Sequence, residues 1–518
     1  MAFLQPAAHL AATGATLMDL QQFFNHWKLS EHPFQAEEAR NDSVYNRKLE
    51  AAITHPDFMK IYGDPANPST TIVFGEKGTG KTAMRLMIQR RLADFNSGRD
   101  SNKVWVVSYD ELNPMLDRLA SNLKSDSEEK TLGAIRLSDH QDAILSLAVT
   151  DLIDSVLVSK DKSQVKLRKK TLRKMSQQRR LDLATLALLY DQPKHGRAAD
   201  RWSSLLRLLR VGSGLDRSAH GFAALLPLAA GAVGGLGWYF LEAPSWKWIA
   251  TALAGGVIGL GLGYLWIKRS WKNGKRGKQI EREIRVLHRE PGTTTQQLWD
   301  VSSSELASQP LPAKGDQDSR YDLTGRLLGI LSELGYSSLI TLVDRVDEPV
   351  LVNGDAKRIK QIVWPMLNNK FLQQEGIGIK MLLPIELSQM LLAEDTEFKR
   401  QARLDKQNVV NPLKWTGTSL YDLCNWRFKN CQGGGQASAH SLDALFDDEV
   451  TSEDLIDALD QMHQPRDAFK FLYAVLLEHC RNTPGESEDY KIARSTLETA
   501  RREQSQRVVD LYRGMSST

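Results

Sequence analysis

A chain of 518 residues, 42% hydrophobic and 25% charged, carries enough apolar material for two to four domains and is too rich in it for disorder to dominate. The net charge of +4 is small for this length, so nothing global points to nucleic acid. Three cysteines, Cys424, Cys431 and Cys480, make neither a paired disulfide framework nor a CxxC metal site, and reduced thiols are expected.

Residues 1–60 read as a helical lead-in, broken at Pro33, with no basic start and long apolar run of the kind that marks a secretory signal. The first part of an α/β domain follows over 61–158. Within it residues 69–92, STTIVFGEKGTGKTAMRLMIQRRL, name a ligand. The β-branched and aromatic residues 70–74 suit a buried strand, and Lys81 and Thr82 open a helix after the spacing G-x-x-x-x-G-K-T. Gly75, Glu76, Lys77, Gly78, Thr79, Gly80, Lys81, Thr82 and Ala83 would line the phosphates of ATP. Backbone N–H groups would cradle them, the Lys81 ammonium would reach the terminal oxygens and Thr82 would ligate Mg²⁺. Residues 103–109 read as the second strand of a parallel sheet, and 138–157 as a core helix capped by Ser138 or Asp139.

An insert is expected over 159–320. Its basic block, 160–180, carries ten lysines and arginines against one aspartate, and fits either a solvated helix or contact with anionic lipid. Residues 201–210, RWSSLLRLLR, have the pattern of a helix lying on a membrane. Residues 221–241 and 246–267 are each long enough to cross a bilayer and carry no charge away from their ends, which predicts a transmembrane hairpin. Basic flanks place both of its sides in the cytoplasm, and glycines spaced by four, Gly255, Gly259 and Gly263 among them, favour close helix contact. The polar stretch 292–320 reads as a linker.

The second part of the α/β domain is expected over 321–430. Residues 338–348, SLITLVDRVDE, form an apolar strand ending in carboxylates. Asp344 would complete the Mg²⁺ shell, and Asp347 or Glu348, with Glu348 preferred, would orient and deprotonate the attacking water. A further strand, 378–385, ends at Glu386, a candidate sensor of the terminal phosphate. About 260 residues separate Lys81 from Asp344, several times what ordinary crossovers need, so the hairpin is an insert within the domain. Arg427 is a weaker candidate for a finger toward a neighbour's nucleotide. Residues 431–518 read as a helical lid and tail.

The loop GEKGTGKT, the membrane hairpin between it and the acidic strand, and the strand end VDRVDE together resemble the KAP group of phosphate-loop NTPases within the STAND-type ATPases. The resemblance covers roughly residues 30–480. It implies a parallel sheet flanked by helices with a C-terminal helical lid. It also implies that Arg466, in HQPRDAFKFL, reaches the terminal phosphate, and that the protein works in signalling or defence at a bacterial inner membrane, with both termini in the cytoplasm. Arg345 departs from the pattern, standing where many such proteins carry a second acid. The leading expectation is a membrane-anchored ATPase acting as a conformational switch, with a protein partner or a second copy. The alternative is a nucleotide-binding membrane scaffold with little turnover. A nucleic-acid partner is the weakest option.

Overall fold

Thr71, Ile72, Val73 and Phe74, β-branched or aromatic and all buried, form strand β1 (Thr71–Gly75), since a segment apolar on both faces needs cover on both. In the computed structural model it is joined by β2 (Lys103–Tyr109), β3 (Tyr336–Val343), β4 (Ile377–Pro384) and β5 (Asn408–Val410), in the order β2-β3-β4-β1-β5. Strand β1 runs parallel to β4, with Gly75 beside Pro384, and parallel to β5, with Thr71 beside Asn408. The chain leaves β1 for strands on one side of it and passes from β4 to β5 on the other. Such a reversal opens a crevice at the carboxyl ends of the strands. The α/β class expected from the sequence, a parallel sheet flanked by helices, is the one observed.

The structure describes residues 17–35, 39–47, 54–124, 127–158, 167, 169–193, 198–211, 229, 231–232, 246–290, 292–301, 305, 308–313, 318–433 and 440–516. They divide into two compact units. The first comprises residues 1–97, 342–347 and 378–518, and the second 98–341 and 348–377.

In the first unit strand β1 and the helix after it (Lys81–Asn96) are accompanied by a helical module built from both ends of the chain. Helix Leu20–His26 packs with Gly417–Cys431, Ser452–Asp460, Pro465–Asn482 and Arg494–Ser516 around one core that includes Phe23, Trp27, Leu420, Phe428, Leu459 and Phe471. Backbone bonds tie the ends: Met18 N donates to Thr483 O (2.9 Å), Ser30 N to Cys431 O (2.8 Å) and Gly433 N to Lys28 O (2.8 Å). The lead-in and the lid, read separately from the sequence, therefore share a core. Arg427 belongs to it as well. Its guanidinium pairs with Asp42, donates to Pro33 O and lies over the Phe469 ring, so it clamps the module internally and is not presented to a neighbour.

The second unit contains the insert. Helix Leu137–Leu157 is buried almost throughout, and its charges are matched within the unit: Arg285 pairs with Asp139, and Arg320 pairs with Asp142 at 3.0 Å while Tyr190 donates to the same carboxylate at 2.8 Å. The basic block falls partly outside the described residues. Of its described end, Ser176 caps helix Gln177–Tyr190, Arg179 reaches Asp182 at 3.2 Å and Arg180 donates to Leu209 O at 3.0 Å. Residues 201–210 correct the sequence reading. They lie in helix Ala198–Leu209, whose Trp202, Leu205, Leu208 and Leu209 are buried and whose Arg201 is held by Asp154 and Asp191, so that apolar face is already covered by protein. The stretch 292–320, read as linker, contains helix Thr293–Asp300, against which Gly277 packs so closely that a Cβ there would lie 2.3 Å from Thr295 Oγ1.

The expected span 221–241 lies outside the described residues except for Ala229, Gly231 and Ala232. The expected span 246–267 lies in helix Trp246–Glu283, which runs well past it. Among the described residues no helix is long and apolar enough to cross a membrane.

Candidate functional site

The loop between β1 and its helix takes the form its glycines dictate. Gly78 has φ +109° and Gly80 φ +89°, left-handed conformations that side chains rarely adopt. At Gly75 the constraint is contact, because a Cβ would lie 2.7 Å from Thr79 Oγ1, which donates to Glu76 O at 2.9 Å. The loop is braced from outside. Trp415 Nε1 donates to Thr79 O at 2.9 Å, and Tyr45 Oη donates to Ala83 O at 2.8 Å at the start of the helix.

Lys81 turns its ammonium back over this loop, donating to Gly75 O at 2.7 Å and Glu76 O at 2.8 Å. Both acceptors are neutral carbonyls. Burial pushes the ammonium below its usual range, the carboxylates of Asp347, Asp344 and Glu386 act to hold it up, and Arg466 pushes it further down. A half-buried cation is thus set in a field of acids without a carboxylate at ion-pair distance among the described residues, and a second cation acts on the same place.

Asp344 follows β3 directly and is 2% exposed at its side chain. Burial raises its carboxyl, while Arg85, the Thr82 hydroxyl, the Arg345 N–H and Lys81 oppose that rise. Arg85 Nε meets Asp344 Oδ2 at 3.2 Å, and Arg85 too is buried. Arg345 has φ +59°, a left-handed conformation, and its backbone N–H acts on the Asp344 carboxylate. The residue that breaks the expected acidic pattern thereby serves Asp344 through its backbone.

The expected site residues assemble unevenly. Lys81, Thr82, Asp344, Asp347, Glu386 and Arg466 act on one another within the first unit. Glu348, preferred over Asp347 from the sequence, is exposed and belongs to the second unit. Arg85, Trp415 and Gln464 were not singled out from the sequence as site residues. Arg85 was detectable in principle, since it sits one helical turn after Lys81 and therefore on the same face. Among the described residues no group of three or more His, Cys, Asp or Glu side chains could hold a metal by itself. Thr82 and Asp344, a hydroxyl that acts to hold down the carboxylate it faces, are the hard oxygen donors that suit Mg²⁺, an ion that takes one or two carboxylates and completes its shell with water and phosphate. Comparison with protein-family models, with curated proteins and with solved structures returns no match.

Proposed function

We propose that this chain is a KAP-like, membrane-anchored ATPase that binds ATP with Mg²⁺ and couples binding and slow hydrolysis to movement of its helical module. One observation carries the reading. Lys81 and Arg466 act on the same place at the end of a parallel strand, and neither has an ion-pair partner among the described residues. Two such cations beside a glycine loop suit a polyanion.

In this reading Lys81 exchanges its two carbonyl contacts for terminal phosphate oxygens, and Arg466 holds the outermost phosphate from the module side. Thr82 and Asp344 would hold Mg²⁺, which would supply positive charge beside those oxygens. Asp347, in the field of Lys81, takes the proton of the attacking water. As the new oxygen–phosphorus bond forms, the bond to the bridging oxygen breaks and ADP leaves with the electron pair. Asp347 displaces Glu348 as the favoured base because its carboxylate acts on Lys81, whereas the Glu348 side chain is exposed.

The test is ATP turnover and nucleotide affinity on detergent-purified full-length protein. Lys81→Ala should lose both. Asp347→Asn should keep affinity and lose turnover by about 100-fold or more, within the usual reach of general-base catalysis, while Glu348→Gln stays near wild type. The opposite pattern in the last two returns the role to Glu348. Binding without turnover in the wild type favours the scaffold reading.

The anchoring part of the proposal is supported by helix Trp246–Glu283, where Leu253, Val257, Ile258, Leu260, Leu265 and Ile267 are all exposed within fifteen residues. So much contiguous apolar surface marks an interaction site. Retention in the membrane fraction through an alkaline wash is expected, and release by that wash would end the anchor reading.

A further inference from the structure

Two buried polar atoms in the first unit, on residues that both flank Gly78, have no hydrogen-bond partner among the described residues. Helix Pro465–Asn482 is entered through a tight turn in which Gln464 N donates to Met462 O at 2.7 Å across His463, whose φ is +60°. A left-handed bulky residue in a three-residue turn is strained, and such strain is held in place by the packing around it. The turn aims Gln464 at the phosphate loop. A Cβ on Gly78 would lie 3.0 Å from Gln464 Oε1 and 3.1 Å from Arg466 Cβ, and with φ at +109° a side chain there would be strained as well as crowded.

Gln464 is 3% exposed. Its Nε2 donates to Asp467 Oδ2 at 2.6 Å, and because a carboxylate only accepts, this contact fixes which end of the amide points where. Asp467 is held in turn by Arg507 at 3.3 Å. Oε1 is left facing the loop with no hydrogen-bond partner among the described residues, and Arg466 Nε is likewise buried without one among them. An acceptor and a donor are thus both unsatisfied at the N-terminus of an 18-residue helix. An anion alone suits the arginine and the helix end but offers the amide oxygen no hydrogen. An anion that carries a water suits both.

We propose that Gln464 is a triphosphate-discriminating residue: its Oε1 accepts a hydrogen from water on the terminal phosphate that Arg466 holds, so helix Pro465–Asn482 docks on a loop carrying a nucleoside triphosphate and not on one carrying a diphosphate. The inference rests on the nucleotide reading above and adds to it the residue that tells the two states apart. Gln464 positions the water and takes no proton.

The test uses the full-length protein with ATP, ADP and a slowly hydrolysed ATP analogue, measuring affinity and the hydrogen exchange of residues 462–482. Wild type should bind the triphosphates more tightly than ADP, and only the triphosphates should slow exchange in that helix. Gln464→Leu, similar in volume, should lose the preference by about tenfold through weaker triphosphate binding, keep ADP affinity within about twofold, and lose the protection. Gln464→Glu, which sets a second carboxylate beside Asp467 and against the phosphate, should weaken triphosphate binding further. If wild type and Gln464→Leu show the same preference and the same protection, Gln464 only packs against Gly78 and the inference falls while the nucleotide reading stands. If wild type binds none of the three nucleotides, both fall.

Discussion

Arg85→Met isolates the contact on which the acidic half of the site depends. Arg85 and Asp344 are 5% and 2% exposed at their side chains and meet at 3.2 Å, so removing the cation leaves the carboxylate buried with Thr82, a backbone N–H and the weaker influence of Lys81 against it. Breaking one side of a buried pair costs about 3–5 kcal/mol. In a unit of this size each kcal/mol moves the midpoint by roughly 2–4 °C, so a fall of about 10 °C is expected. The assay is thermal unfolding of the full-length protein for wild type, Arg85→Met, Asp344→Asn and the double variant. The double variant should be more stable than Arg85→Met, because neutralising Asp344 removes the uncompensated charge. The coupling should exceed about 1.5 kcal/mol. Added ATP with Mg²⁺ should recover more stability in Arg85→Met than in wild type, since the metal supplies the positive charge that the variant lacks. A cycle that closes additively to within about 0.5 kcal/mol refutes the reasoning, because Arg85 would then be stabilising something other than Asp344.

Gly78→Ala should weaken ATP binding and speed exchange in residues 462–482, because its Cβ would press on Gln464 and Arg466 and its φ of +109° disfavours any side chain. Gly133→Ala, where a Cβ meets nothing within 4 Å, is the control and should change neither; an effect at both sites would make the Gly78 result uninformative about the lid. Trp415→Phe keeps a ring against His55 but loses the bond to Thr79 O, so it should cost about 0.5–1.5 kcal/mol and raise the ATP concentration needed for half-saturation; an unchanged loop by hydrogen exchange would reduce Trp415 to packing. In the second unit, burial pushes the His140 imidazole down to about 4 and the Asp142 carboxyl up to about 6. The lowered histidine contributes stability that is present above its unfolded value and lost as pH falls toward 4, whereas the raised aspartate contributes stability present at low pH and lost as pH rises through 6. The two slopes oppose each other, so the melting temperature should be nearly flat from pH 6 to pH 4. Asp142→Asn should lower it by leaving Arg320 buried beside a neutral amide, and should also uncover the histidine slope as a steady fall below pH 6.5; a variant that stays flat would show that His140 is not the titrating group.

The glycine loop after β1 was legible as a strand, turn and helix because every residue it needs is local. Gly75 to Thr82 fold back on one another, and the strand before and the helix after carry their own patterns. Strands β2 and β4 were legible for a similar reason: an apolar run bounded by polar residues gives the strand to within a residue. Strand β5, three residues long, is too short to carry a period. The shared core of the two chain ends was invisible because its contacts join residues about 400 positions apart, as in Ser30 with Cys431, and no local pattern encodes them. Arg427 shows the same limit for charge, since its sequence neighbours give no sign of Asp42. Asp347 and Glu348 are neighbours in the chain, and the left-handed conformation of Arg345 just before them is uncommon for arginine, so extending the strand pattern past β3 does not tell which of the two acts on Lys81.

Residues 201–210 and 246–267 differ most instructively. Both read as apolar helices flanked by arginine or lysine, and both suggested lipid. Hydrophobic periodicity says that a helical face is covered without naming the cover. In the first segment Trp202, Leu205 and Leu209 are buried in protein and Arg201 is bound to two aspartates. In the second, Leu253, Val257, Leu260 and Ile267 are exposed, while the same helix is fixed further along by Arg269 against Trp299 and by Gly277 against Thr295. An element anchored at one end and apolar and bare at the other needs cover that the described chain does not give it. The case for a membrane therefore rests on the second segment alone, and it would be withdrawn if Leu253→Lys or Val257→Lys left membrane retention unchanged.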